Sequence, residues 1–142
     1  QSAEIIKKSF NPDIMLAIGG GGLIPARIMR EKLKVPIYVV TVSTYDENEN
    51  QIDIPRIIQW MDFSDLKDKK ILIVDEVDDT RKTLGFVTEK LVNEEGINMR
   101  NIGVFVLHNK TKPKHVSLKD LNVSYYQPGV HLPDKWIVYP WD

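Results

Sequence analysis

Ile71-Leu72-Ile73-Val74-Asp75-Glu76-Val77-Asp78-Asp79-Thr80-Arg81-Lys82-Thr83-Leu84 decides how the chain folds. It opens as an unbroken apolar run behind Lys69-Lys70, the pattern of a strand buried on both faces. Four acids follow within five residues, then hydroxyl and basic residues. Leu84, Val87, Leu91 and Val92 then recur at helical spacing. In open α/β sheets, ligands bind at the carboxyl end of such a strand. The N–H groups of Asp79 to Thr83 can face an anion at the helix start, where the macrodipole favours negative charge. The carboxylates just upstream suit ribose hydroxyls or a metal-bound substrate. A solvated acidic turn with an N-cap is the plainer alternative, since acids and threonine favour any helix start. Packing four like charges together, however, costs stability unless a cation or ligand compensates. A Walker loop is excluded, because no Gly-Lys-Thr or Gly-Lys-Ser closes a Gly-x-x-x-x frame.

The whole chain has 142 residues, enough for one domain around one core, 1–142. Its 42% hydrophobic and 27% charged content is ordinary for a globular protein. A formal net charge of −1 gives no global attraction to nucleic acid or to an anionic membrane. Cysteine is absent, which excludes disulfides and thiolate metal sites and fits a reducing compartment. No apolar run reaches membrane-spanning length and no signal-peptide pattern opens the chain, so a cytoplasmic setting is expected.

Upstream of the acidic segment, Ala3 to Phe10 reads as a short amphipathic helix broken by Asn11-Pro12-Asp13. Ile14 to Ile18 reads as a buried strand ending in Gly19-Gly20-Gly21-Gly22, with a helix following to about Leu33. Four glycines after a buried strand mark close backbone approach, either to an anion or within a crowded turn. Ile37 to Val42 is a second strand. Ser43 to Gln51 is polar and acidic and reads as a mobile loop, an active-site lid or a plain hairpin tip; β character returns at Arg56 to Trp60. Downstream, Ile102 to Leu107 is another buried strand leading into a basic loop, His108 to His115. Val123 to Gln127 and Trp136 to Tyr139 read as two short strands forming an appendage over the sheet's carboxyl edge. His108, His115 and His131 have no metal-site spacing. The alternation predicts an α/β fold, a mostly parallel central sheet flanked by helices with a small C-terminal hood at 123–142.

Val74 to Thr83 resembles the phosphoribosyl pyrophosphate (PRPP) signature of type I phosphoribosyltransferases. Nearly the whole chain is similar, in order, to their 6-oxopurine branch, the hypoxanthine-guanine and xanthine-guanine enzymes, and looks most like the fungal form. Ser43-Thr44-Tyr45-Asp46 falls where that family has its flexible catalytic loop, about 43–55. Lys110-Thr111-Lys112-Pro113 falls where it has a purine-binding lysine, and Leu132 to Asp142 resembles its hood and C-terminal ligand segment.

The resemblance implies a magnesium-dependent purine salvage enzyme, with a non-catalytic PRPP or nucleotide sensor on the same fold as the alternative. Asp75 and Glu76 would hold the ribose hydroxyls, directly or through magnesium, and Asp142 would complete a second magnesium site. Asp78 joins the PRPP-binding set. Asp79 would lie near purine N7 as general acid/base, and Thr44 and Tyr45 would belong to the closing loop. Thr80, Arg81, Lys82 and Thr83 would bind the 5′-phosphate, mainly through backbone, and Gly20 and Gly21 would line the pyrophosphate loop. Lys110 would bond purine O6, with Lys112 competing for that role. Trp136 would stack on the ring and Ile137 would offer backbone groups. A homodimer is implied as well. The chain leaves the family pattern at Gly20, usually Arg or Lys, at Arg81, usually Gly, and at Thr44, usually Ser.

Overall fold

The computed structural model describes residues 2–114, 116–118, 120–135 and 137–140. The elements are α1 (Ser2–Ser9), β1 (Ile14–Gly19), α2 (Leu23–Leu33), β2 (Ile37–Tyr45), β3 (Gln51–Gln59), β4 (Ile71–Asp78), α3 (Lys82–Asn93), β5 (Ile102–Lys110) and β6 (Tyr125–Leu132). Short 3₁₀ turns at Ser64–Leu66 and Met99–Asn101 join them. The strands form one six-stranded sheet in the order β3-β2-β1-β4-β5-β6. All neighbours run parallel except β2 and β3. The predicted α/β class and mostly parallel sheet are therefore observed.

The apolar run at the head of β4 explains the layering. Ile71 and Ile73 pack with Leu84, Val87 and Leu91 of α3. Leu72 and Val74 point to the opposite face, against Ile6 of α1 and Ala26 and Met29 of α2. All four strand residues are fully buried. Alternation along a strand thus feeds two helical layers from one hydrophobic stretch. The chain moves one way from β1 to β2 and the other way from β4 to β5. The switch point lies between β1 and β4, so the glycine loop and the acidic segment meet at one crevice.

Three expectations are corrected. The loop expected at 43–51 is shorter: β2 continues through Ser43, Thr44 and Tyr45, and β3 already begins at Gln51. Only 46–50 turn, with Asp46 Oδ1 accepting from the Asn48 and Asn50 backbone N–H groups, both at 2.9 Å. The hairpin lies at the sheet edge, largely exposed, so polar residues fill strand positions and hide the period-two signal. At the other edge, the expected pair of short C-terminal strands is a single strand, β6, paired in parallel with β5 and part of the main sheet. Ile137 to Tyr139 is not strand. Pro128 lies within β6; an edge strand tolerates its missing N–H. The basic loop also starts later than expected, because β5 runs on to Lys110.

Candidate active site

β4 and β5 stay in register to Asp78 and Asn109, and the chain then diverges into the segments that carry the charged residues. Two clefts open there. One, of about 360 Å³, is bordered by 75–84 and, opposite, by Thr44, Tyr45 and Gln51 of the β2–β3 hairpin. The other, of about 430 Å³, is bordered by Glu76, Val77, Asp79 and Lys110 and covered by Ile137, Val138 and Tyr139. They share Glu76, Val77 and Asp79.

The first cleft has the chemistry of a phosphate and sugar site. α3 starts at Lys82, so the helix N-terminus faces the segment as the sequence suggested. Burial pushes the Asp75 carboxyl up to about 7; the neighbouring charges of Glu76 and Asp78 add to this, and the Glu76 N–H donating to Asp75 Oδ1 at 2.8 Å opposes it. The Lys82 ammonium donates to the Ile52 carbonyl, tying the hairpin to the phosphate-type loop. On the β1 side, a Cβ at Gly21 would come within 2.5 Å of the Glu76 side chain, and one at Gly22 within 2.1 Å of the Val74 carbonyl. Close approach to backbone therefore requires glycine at 22, and a side chain at 21 would have to displace Glu76, which joins the two loops into one surface. A Cβ at Gly20 would meet nothing within 4 Å.

Asp78 and Arg81 border this cleft, yet their charged groups are buried against each other, with the residues 1% and 6% exposed. Arg81 takes a left-handed backbone, φ 68°, where glycine is ordinarily favoured. Its guanidinium also stacks 5.3 Å from the Tyr126 ring centroid, and Tyr126 donates to Asp78 Oδ2 at 2.5 Å. Asp78, expected in the PRPP-binding set, borders the cleft, but its Oδ2 is taken up by Arg81 and Tyr126.

The second cleft is built around Asp79. Lys110 Nζ donates to its Oδ2 at 3.3 Å, and Lys112 Nζ lies 2.8 Å from its Oδ1. Burial alone would raise this carboxyl, but the Lys112 hydrogen bond and the Lys110 charge outweigh it and hold it below the usual range. Asp134 reaches the same lysines, 3.3 Å from Lys112 and 3.9 Å from Lys110. Both lysines thus pair with one carboxylate, and Lys110 is the buried one. The Tyr139 hydroxyl donates to the Glu76 carbonyl at 3.2 Å and lies 2.9 Å from His108 Nδ1, anchoring the tail above the cleft.

Asp75, Glu76, Asp79, Thr80, Lys82, Thr83, Thr44, Tyr45, Lys110 and Ile137 therefore gather at two adjoining clefts, and Gly21 abuts Glu76. Trp136 and Asp142 lie outside the described residues. Tyr126, Lys114, Asp134, Tyr139 and His108 escaped sequence reading. Nothing in their local sequence distinguishes a lysine, tyrosine or histidine of a surface loop from one folded inward.

The phosphoribosyl transferase domain family matches residues 2–133. The chain is 43% identical to the hypoxanthine-guanine phosphoribosyltransferase of Schizosaccharomyces pombe, covering all of this chain and 82% of the relative. It is 40% identical to xanthine phosphoribosyltransferase 1 of Saccharomyces cerevisiae, covering 98% of this chain and 81% of the relative. Among solved structures, a protein from Neisseria gonorrhoeae with bound ppGpp superposes with a TM-score of 0.83 at 39% identity, over 99% of this chain and 80% of that one. With its PRPP-type segment, glycine loop and sheet switch point in one crevice, the chain belongs to the phosphoribosyltransferase family.

Proposed function

We propose that the protein is a purine salvage enzyme that transfers the 5-phosphoribosyl group of PRPP to a 6-oxopurine, giving a nucleoside 5′-monophosphate and pyrophosphate. The observation that carries this reading is the adjacency of the two clefts, one suited to phosphate and sugar and one lined by an acid and a lysine, with Asp79 shared between them. The fungal relatives act, by name, on hypoxanthine, guanine and xanthine. A guanine nucleotide bound to the Neisseria protein supports the same ligand class.

Purine O6 and N7 lie side by side on one edge. Lys110 offers a donor and Asp79 an acceptor 3.3 Å apart, which suits an oxo group next to N7–H. Adenine would present its amino donor to the lysine instead. As base N9 bonds to C1′, the C1′–O bond breaks, its electron pair leaves with pyrophosphate, and the N7 proton passes to Asp79. A carboxyl held below its usual range is ionised at neutral pH and ready to accept it. The N–H groups from Thr80 to Thr83 hold the 5′-phosphate at the start of α3. Glycines at 20 and 21 let pyrophosphate approach the backbone, and closure of the hairpin bearing Thr44 and Tyr45 excludes water. Trp136 and Ile137 complete the purine site.

Magnesium fits the donor set. It favours one or two carboxylates with substrate phosphates and water, and Asp75 and Glu76 border the cleft as a charge cluster that a cation would relieve. Among the described residues no three acidic or histidine groups converge as a metal cage, so its other ligands would come from PRPP and Asp142. When bound, the ion neutralises charge on the leaving pyrophosphate. We take the working form to be a cytoplasmic homodimer without nucleic-acid or membrane partners; among the described residues no helix is long and apolar enough to cross a membrane.

Assaying hypoxanthine, guanine, xanthine and adenine with PRPP, with and without magnesium, tests the reading. Turnover of one or more oxopurines and not adenine is expected. Tight PRPP binding without turnover would favour a sensor instead.

A further inference from the structure

Lys114 looks in sequence like one more solvated lysine of a basic loop, but its ammonium is folded inward, with the side chain 13% exposed. It donates to three backbone carbonyls, Asp78 at 2.7 Å, Asp79 at 2.5 Å and Lys110 at 2.7 Å. Those use all three of its N–H groups. Asp78 and Lys110 are the last residues of β4 and β5, and Asp79 is the first beyond β4. The strands' own pairing runs as far as Asp78 and Asn109. Beyond that point, Lys114 bridges the carbonyls of the diverging ends. Its charge also faces Asp78 Oδ1 at 3.7 Å, a buried oxygen with no hydrogen-bond partner among the described residues. Burial disfavours the ammonium and holds its pKa below the usual lysine range, with the Asp78 charge opposing, so the group is kept there at a cost.

The backbone of Asp79 and the backbone of Lys110 are the two points from which the proton acceptor and the O6 donor reach the purine. We propose that Lys114 is a positioning residue that sets the spacing between Asp79 and Lys110 by clasping the ends of β4 and β5, so that both meet one purine edge. This rests on the purine-transfer reading above. Lys114 touches no substrate in this account and acts through Lys110 and Asp79.

A double-mutant cycle on kcat/KM for the purine, using Lys114→Met, Lys110→Ala and the double variant, tests it. Turnover by the unmodified protein is measured first, and its absence would count against the purine-transfer reading rather than against Lys114. Lys114→Met is expected to lower kcat/KM for the purine by about tenfold to a hundredfold, the scale of an ångström-level misplacement. In the Lys110→Ala background the same change should cost clearly less than in the parent, because one of the two residues it positions is gone. Lys114→Arg, which keeps charge and donors, should recover much of the loss. If Lys114→Met does not fold, Lys114→Gln, with two donors and no charge, replaces it in the cycle. Independent, multiplying losses, or an unchanged kcat/KM in the single variant, would overturn the proposal.

Discussion

Arg81 donates from both Nε, at 2.9 Å, and Nη2, at 2.7 Å, to a single oxygen of Asp78, three residues before it. This pair accounts for one of the positions where the chain leaves the phosphoribosyltransferase pattern. A left-handed residue is needed between β4 and α3, which glycine ordinarily supplies. Here an arginine adopts it and is held by a buried carboxylate, a tyrosine face and the Val116 carbonyl at 3.4 Å. The side chain is thereby turned onto Asp78 and Tyr126, which leaves the loop's N–H groups as the proposed anion contacts.

Arg81→Gly should therefore unfold more easily although glycine suits the backbone there. It takes the directly bonded cation from buried Asp78 and leaves only the Tyr126 hydroxyl and the more distant Lys114 ammonium, a loss of up to about 3–5 kcal/mol. Adding Asp78→Asn removes the stranded charge and should restore part of the stability. Urea unfolding of both variants measures this; a single variant as stable as the parent would mean that the pair is not holding the loop.

The acid cluster should oppose folding of the ligand-free protein. Asp75 is raised to about 7, against about 3.9 for a free aspartate. A carboxyl raised on folding is protonated in the folded state at low pH, and its ionisation then lowers stability as pH climbs from about 4 through 7. Asp75→Asn should thus raise the Tm of the free protein at pH 8 and change it little at pH 4, while weakening magnesium–PRPP binding. A Tm gain of the same size at both pH values would remove Asp75 as the source.

Two neighbouring glycines should respond in opposite ways. Gly20→Lys enters open space and puts a cation on the proposed pyrophosphate loop. It should fold normally and lower the PRPP KM by about two- to fivefold, in line with ~0.2–1 kcal/mol for an exposed charge pair. Gly21→Ala drives a methyl into Glu76 and should raise the PRPP KM instead. Steady-state kinetics on both variants decides this; improvement in both would show that the Glu76 contact is immaterial.

Buried apolar runs made the α/β layering legible, because Ile71 to Val74 and Ile102 to Leu107 carry their environment in their composition. The phosphate-type loop was legible for a related reason: crowded acids are costly wherever they fold. The hairpin and β6 were not, since edge strands bury one face at most and admit Asp46, Pro55 or Pro128 nearby without penalty. Nor were Lys114, Tyr126 and Asp134, whose partners, apart from the Lys110 carbonyl, lie 22 to 48 residues away in sequence. Long-range polar pairing leaves no local period to read.

In the proposed reaction Asp79 receives the purine proton, and Asp79→Asn tests this most directly. The amide keeps the shape of the side chain but cannot take the proton. The expected result is a fall in kcat on the order of 10²–10⁴-fold, with PRPP affinity close to that of the parent. A loss of PRPP binding as large as the loss of kcat, or a kcat left intact, would contradict it.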